Sequence, residues 1–257
     1  MAGPAIPRTL LIDIESSPSL GWVWQKWQTD VLSFEKDWRV LSLSWMWLED
    51  KRPLVLGLPD FLRYKKEPDS DYDIVAKAWD LMNEAQVIIA HNISFDVKKL
   101  QARMAFWNMP PPSPFAQVDT LKMARRSFSF QSNKLGELCT HLGIGAKEDN
   151  GGMATWFGAM QGDPKAWARL KKYNAQDVRL LRDLFLKLRP WANSLPNVAL
   201  MSGQTDACPK CGSQNITKQG VKYNRTTTMQ QYRCNDCHGW SSSRVSDKEA
   251  PKPTLVS

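Results

Sequence analysis

Residues 9–16 read TLLIDIES, an apolar run of strand length with two carboxylates inside it. Side chains alternate along a strand, so Asp13 and Glu15 leave one face with Leu11, while Ile12 and Ile14 point to the other. Two carboxylates on one face of an apolar strand repel each other and lose hydration, which costs free energy unless a partner answers them. A divalent cation answers both problems. In the alternative, both residues sit at a strand end facing water, and this segment alone does not choose.

The segments that follow predict a mixed chain. RVLSLSWMWLED (39–50) alternates and reads as a second strand, PLVLGL (53–58) as a third, and QVIIAH (86–91) as a short buried strand. Residues 59–72 read as polar loop. Residues 73–85 have helical spacing, with Ile74, Ala78, Leu81 and Met82 on one face. Ser94 is a candidate cap for the helix FDVKKLQARMAFW, and Pro110 to Pro112 forbid helix beyond it. TLKMARRSF after Asp119 and NKLGELCTHL read as further helices, the second closed by Gly143. Residues 145–155 read as Gly-rich loop. Asp163-Pro164 starts a helix that runs to about Arg189, where Pro190 closes it. Strands first and alternating units afterwards predict an α/β domain with a mixed sheet flanked by helices. Residues 17–38 take no assignment. Their Trp22, Trp24, Trp27 and Trp38 either pack that loop against the sheet or stack the bases of a single strand.

Charge and cysteines narrow the partners. Lys+Arg number 34 against 26 Asp+Glu, a net +8. The excess favours an anionic partner such as nucleic acid, although a solvated basic surface has the same composition. No segment approaches the ~18 consecutive apolar residues of a membrane span, and MAGPAIPRTLLIDIESS lacks the layout of a secretory signal. The expected location is the cytoplasm, that of a host cell if the chain is phage-encoded. Cys208-Pro-Lys-Cys211 and Cys234-Asn-Asp-Cys237 are two CxxC pairs with 22 residues between them. That spacing predicts one structural Zn²⁺ in a tetrahedral Cys₄ ribbon, with a redox dithiol as the competing reading. Gly212 and Gly239 suit tight turns at the knuckles, His238 is left out of the ligand set, and YNRTTTMQQYRC reads as a hairpin. Exposed Lys210, Lys218, Lys222, Tyr223, Arg225, Tyr232, Arg233 and Trp240 would grip backbone and stack bases, or the module would dock a protein. The expected layout is a catalytic α/β domain over 1–191, a linker over 192–207, the ribbon over 208–243 and a disordered tail over 244–257.

Two more acidic motifs stand at places where chemistry concentrates. Asn92-Ile93-Ser94-Phe95-Asp96 follows a buried strand and opens a helix, at the sheet edge where α/β proteins keep their sites. A first-turn Asp also suits the helix dipole without any function, and Asn92 also suits a plain turn. In Tyr173-Asn174-Ala175-Gln176-Asp177 the Tyr and the Asp are four apart on one helix face, able to hold a water between them. The plain alternative is a half-buried Tyr beside a surface Asp.

Taken together, DxE in a first strand, NxxFD after a later strand and YxxxD in a late helix resemble the three motifs of the DEDD 3′→5′ exonucleases. They resemble the Tyr-containing branch, as in the proofreading domains of family-A and family-B DNA polymerases. The His branch places His five residues before the last Asp, and here Lys172 stands there. The run from Thr9 to about Leu188, including Val118-Asp119-Thr120-Leu121 and Leu142-Gly143-Ile144, is similar to phage and bacterial exonucleases related to the polymerase-B exonuclease domain. The resemblance implies an RNase H-like fold and two-metal-ion hydrolysis from the 3′ end of a single or frayed strand, DNA before RNA. It implies that Asp13, Glu15, Asp96 and Asp177 hold two Mg²⁺ or Mn²⁺, that Tyr173 orients the attacking water, and that Glu15 meets the terminal 3′ hydroxyl. Asn92, Phe95 and Lys98 would contact substrate. Lys99, Arg125 and Arg126 would meet phosphates or simply be solvated. Asp119 would cap its helix or, as a fifth acid, bind metal. A DNA polymerase or other replication protein is an expected partner, with roles in replication, proofreading or repair. Two other functions compete: a structure-selective endonuclease or resolvase, against which the YxxxD helix speaks, and a non-catalytic zinc-ribbon binder, against which the intact acidic set speaks.

Overall fold

The computed structural model describes residues 6–27, 30–224 and 226–244. Arg225 and the tail beyond Arg244, both subjects of expectations above, lie outside the described residues. The chain divides into two compact units, residues 8–184 and a second that holds residues from 185 onward together with those before Arg8.

The first unit is a five-stranded sheet in the order β5-β4-β1-β6-β7. Its strands are β1 (Thr9–Ser16), β4 (Val40–Trp47), β5 (Leu54–Gly57), β6 (Val87–Ala90) and β7 (Ala116–Asp119). A two-stranded ribbon, β2 (Leu20–Trp22) and β3 (Ser33–Lys36), interrupts the path from β1 to β4. β1 pairs antiparallel with β4 and parallel with β6, and β6 pairs parallel with β7. The carboxyl ends of β1, β6 and β7 therefore share one edge. The helices are α1 (Tyr72–Glu84), α2 (Ile93–Phe106), α3 (Thr120–Ser127), α4 (Leu135–His141), α5 (Met153–Met160) and α6 (Pro164–Leu188).

Alternation in β1 sorts its side chains as the period-2 rule requires. Leu10, Ile12 and Ile14 join Ile74, Ala78 and Met82 of α1 and Val97, Leu100 and Met104 of α2 in one core. Asp13 and Glu15 face the other way, toward α6. Burial of Ile74, Ala78, Leu81 and Met82 matches the helical stripe expected over 73–85.

Asp71, just before α1, is fully buried. Its carboxylate accepts from Arg103 Nε and Nη2, each at 2.7 Å, from Trp107 Nε1 at 2.7 Å and from Val40 N–H at 3.0 Å. One carboxylate thus ties β4, α1 and α2 together. Removing it leaves a buried guanidinium unpaired, so Asp71→Ala should cost about 3–5 kcal/mol. Urea unfolding checks this, and a loss below about 1 kcal/mol would refute it.

Several elements depart from the expectations. Two 3₁₀ turns, Leu58–Asp60 and Leu62–Lys65, lie in the expected polar loop. The residue before α2 is Asn92, in the left-handed region at φ 65°, so Ser94 lies inside the helix and is not its cap. The Gly-rich loop ends earlier than expected: Gly151 and Gly152 take φ 69° and 62°, and α5 starts at Met153. Asp163 Oδ1 accepts from Lys165 N–H at 2.9 Å, as the Asp-Pro start requires.

In the second unit, a single turn, α7 (Val198–Met201), falls within the expected linker, with Asn197 accepting from Leu200 N–H. Beyond it lies a sheet of β8 (Ile216–Tyr223), β9 (Thr228–Cys234) and β10 (Trp240–Ser242), in the order β10-β9-β8. The hairpin is longer than YNRTTTMQQYRC, which holds only the end of β8, the turn and β9. No helix among the described residues is long and apolar enough to cross a membrane.

Candidate active site

Asp13 and Glu15 from β1 meet Asp177 from α6, their carboxylate oxygens all within 4.8 Å of one another. Asn174, fully buried one turn before Asp177, braces the cluster. Its Nδ2 donates to Asp13 Oδ2 at 2.6 Å, and its Oδ1 accepts from Ser42 Oγ at 2.9 Å. Ser42 stands directly across from Glu15 in the β1–β4 register. β4, β1 and α6 therefore converge on one carboxylate. Asp96, in the first turn of α2, turns its Oδ1 to the Ile14 N–H at 3.1 Å. It borders Asp13 but stands outside the compact group of three.

Burial and mutual repulsion set the electrostatics of the cluster. Burial first, then Asp96, Glu15 and Asp177, push the Asp13 carboxyl well above its ordinary value. Burial and Asp177 push Glu15 up to about 8, and burial pushes Asp96 up to about 7. Asp177 is also raised by burial, against the pull of Lys147. Its Oδ1 is buried with no hydrogen-bond partner. Clustered, dehydrated carboxylates with a spare acceptor form the oxygen-rich donor set that hard divalent cations take.

These shifts set a pH dependence. Between the ordinary carboxylate range and about 8, the folded chain keeps protons on Glu15 and Asp96 that the unfolded chain has lost. Without divalent cations, stability should therefore fall as pH rises through that window. Mg²⁺, taken up by the ionised carboxylates, would offset this and should raise the melting temperature by about 5 °C at pH 8 and far less at pH 5. Equal shifts at both pH values would contradict this origin.

Lys147 comes from the loop after α4. Its Nζ donates to Asp177 Oδ2 at 2.6 Å and to Tyr173 OH at 2.8 Å. Burial works against its charge, but Asp177 and these bonds push the ammonium pKa up. Neither Lys147 nor the bracing role of Asn174 is among the sequence expectations. Lys147 lies in a stretch without periodicity and leaves no signal there. Asn174 leaves a faint one, since Asn is a poor residue for a helix interior unless its amide is engaged. Trp156 of α5 meets the Tyr173 ring edge-on at 6.3 Å, which gives the unexpected helix α5 a part in placing the phenol.

Asp119 caps α3 with its Oδ1, accepting from Leu121 and Lys122 N–H, and takes a third bond from Asn92 N–H at 3.0 Å. It is not among the clustered carboxylates. Asn92, Phe95 and Lys98 are exposed on the same edge. Asn92 lines an open cleft of about 1300 Å³ that also touches Asp13, His91, Arg125, Lys147 and Asp177. His91 fixes one cleft wall, bonding Thr120 Oγ1 at 2.9 Å and the Asn133 carbonyl at 2.8 Å. Arg126 is exposed on α3, and Lys99 points instead to Ser16 Oγ at 3.1 Å.

In the second unit, Cys208, Cys211, Cys234 and Cys237 place their sulfurs within 4.8 Å of one another. Cys208–Cys237 and Cys211–Cys234 separations are 3.6 and 3.7 Å. A tetrahedral ion with ~2.3 Å sulfur bonds sets sulfurs about 3.8 Å apart, and a disulfide about 2.05 Å. Gly212 takes φ 76°, as a tight knuckle turn requires. At the other knuckle the positive φ falls on His238, at 59°, not on Gly239. Gly239 is needed for closeness instead, because a Cβ there would meet Lys210 Cδ at 2.7 Å and Cys237 Sγ at 3.3 Å. Lys210 is buried, its ammonium on the Pro190 carbonyl, which removes it from the expected exposed contacts. Lys218, Lys222, Tyr223, Arg233 and Trp240 are exposed and Tyr232 is half-buried.

The structure is thus an α/β domain whose mixed sheet gathers carboxylates at one edge. The family model described as RNase_H superfamily matches residues 55–189, more than half of the chain. The protein belongs to the RNase H superfamily. The match takes in Asp96, Tyr173, Asn174 and Asp177, and the sheet register brings Asp13 and Glu15 to them from outside it. No curated protein matches the chain.

Proposed function

We propose that this protein is a 3′→5′ exonuclease that hydrolyses the terminal phosphodiester of single-stranded or frayed DNA. The observation that carries the reading is the meeting of Asp13, Glu15 and Asp177, with Tyr173 one helical turn from Asp177 on the same face. Asp13, Glu15, Asp177 and the neighbouring Asp96 would hold two Mg²⁺ or Mn²⁺, which supply activation of water and neutralisation of the phosphate. Asn174 holds Asp13 in its ligating rotamer. Tyr173 orients the attacking water through its hydroxyl. Lys147 balances the Asp177 charge and keeps the phenol in place. Asn92 lines the cleft, and with Phe95 and Lys98, exposed on the helix it opens, would meet the strand end. The Cys₄ cluster would hold a structural Zn²⁺.

The test incubates the protein with Mg²⁺ or Mn²⁺ and 5′-labelled single strands, duplexes and branched DNA. A ladder shortening from the 3′ end is expected. A discrete internal cut would replace the reading with an endonuclease, and intact substrates would remove catalysis from it.

A further inference from the structure

The ribbon β2–β3 leaves β1 within a few residues of Glu15, at the sheet edge that carries the carboxylates. Leu20, Trp22, Trp24, Trp27, Leu32 and Phe34 stand out into solvent on it, the three tryptophans 65%, 81% and 86% exposed. A two-stranded ribbon has no core of its own to cover such side chains. Apolar surface at this density marks an interaction site. Packing against the sheet therefore accounts for Trp38, which borders the core, and not for Trp22 or Trp27.

Two observations choose the occupant. The first is continuity with the carboxylate site. Lys99 Nζ lies 3.8 Å over the Trp38 ring and 5.2 Å from the Phe95 ring, while donating to Ser16 Oγ. Lys99 thus spans Phe95, next to Asp96, and Trp38, two residues beyond the end of the ribbon. The second is charge. Residues 17–38 carry Lys26 and Lys36 against Asp30, Glu35 and Asp37, and Lys36 is paired with Asp69 at 2.8 Å. The ribbon offers ring faces, not a field for phosphates. Unpaired bases of any sequence present matching ring faces.

We propose that the ribbon is a stacking surface for unpaired nucleobases of the strand entering the carboxylate site, which rests on the nuclease reading of that site. Binding is measured on the full-length zinc-loaded protein, without Mg²⁺ or Mn²⁺, so that it is scored apart from cleavage. The probes are a labelled single strand of roughly 12 nucleotides and an abasic strand of the same length. The wild type should bind the base-bearing strand about tenfold or more tightly than the abasic one, and Trp22→Ala/Trp27→Ala should erase that difference. The melting temperature should be unchanged, because both side chains are exposed. Equal binding of the two strands by the wild type would overturn the proposal without reference to any variant. So would a double variant that binds like the wild type, or one that changes sedimentation but not strand binding, which would assign the ribbon to self-association. Absence of cleavage by a protein that still shows the base-dependent difference would remove the exonuclease reading and leave this one standing.

Discussion

Asp13→Asn should lower metal-dependent cleavage by ~10³-fold or more while leaving the fold intact. Asn keeps the shape of a protonated carboxyl and still meets the Asn174 amide, so the bracing contact survives. What disappears is one of three carboxylates within 4.8 Å. The same change removes a source of repulsion from a site where burial already opposes charge. The variant should therefore melt no lower than the wild type without divalent cations, and Mg²⁺ should stabilise it less. Undiminished cleavage would remove Asp13 from the site. Lost cleavage together with a large drop in melting temperature would reassign it to structure.

The second large effect concerns the ribbon of cysteines. Its buried cluster is Cys208, Cys234 and Cys237, with Cys211 and Ile216 against them, so sulfur takes the place of a hydrocarbon core. Ion binding to such modules is worth about 10–16 kcal/mol, and that energy is folding energy. Chelation, or Cys234→Ser, should unfold the β8–β9–β10 sheet outright. Limited trypsin digestion would show it as new cuts at Lys218, Lys222 and Arg233, while residues 8–184 stay resistant. A chelated protein still protected at those three positions would show that the thiols do not depend on an ion.

The parts legible in the sequence were those with a strong local rule. TLLIDIES has the length and alternation of β1, and Tyr173 and Asp177 share a face because four residues make just over one turn. Asp163-Pro164 carries both halves of a helix start. What escaped lacks such a rule. β7 is four residues long and meets its register only through β6. β8 is broken by Gly220 at φ 74°, where the pairing slips between Lys218 and Val221, so its alternation is lost. The β2–β3 ribbon has no buried face, and hence no periodicity to read. Lys147 reaches Asp177 across 30 residues from an irregular loop, a proximity set by the tertiary fold alone. Asp96 illustrates the middle case: its motif marks it, but only the structure shows its Oδ1 turned to the Ile14 amide.

The brace between Asn174 and Asp13 joins residues 161 apart in the chain. A ribosome emits β1 early and α6 late. Until α6 has emerged, Asp13 and Glu15 are two repelling carboxylates with neither Asp177 to complete a ligand set nor Asn174 to aim it. The carboxylate cluster, and any activity proposed for it, therefore comes together only when nearly all of residues 8–184 have been made.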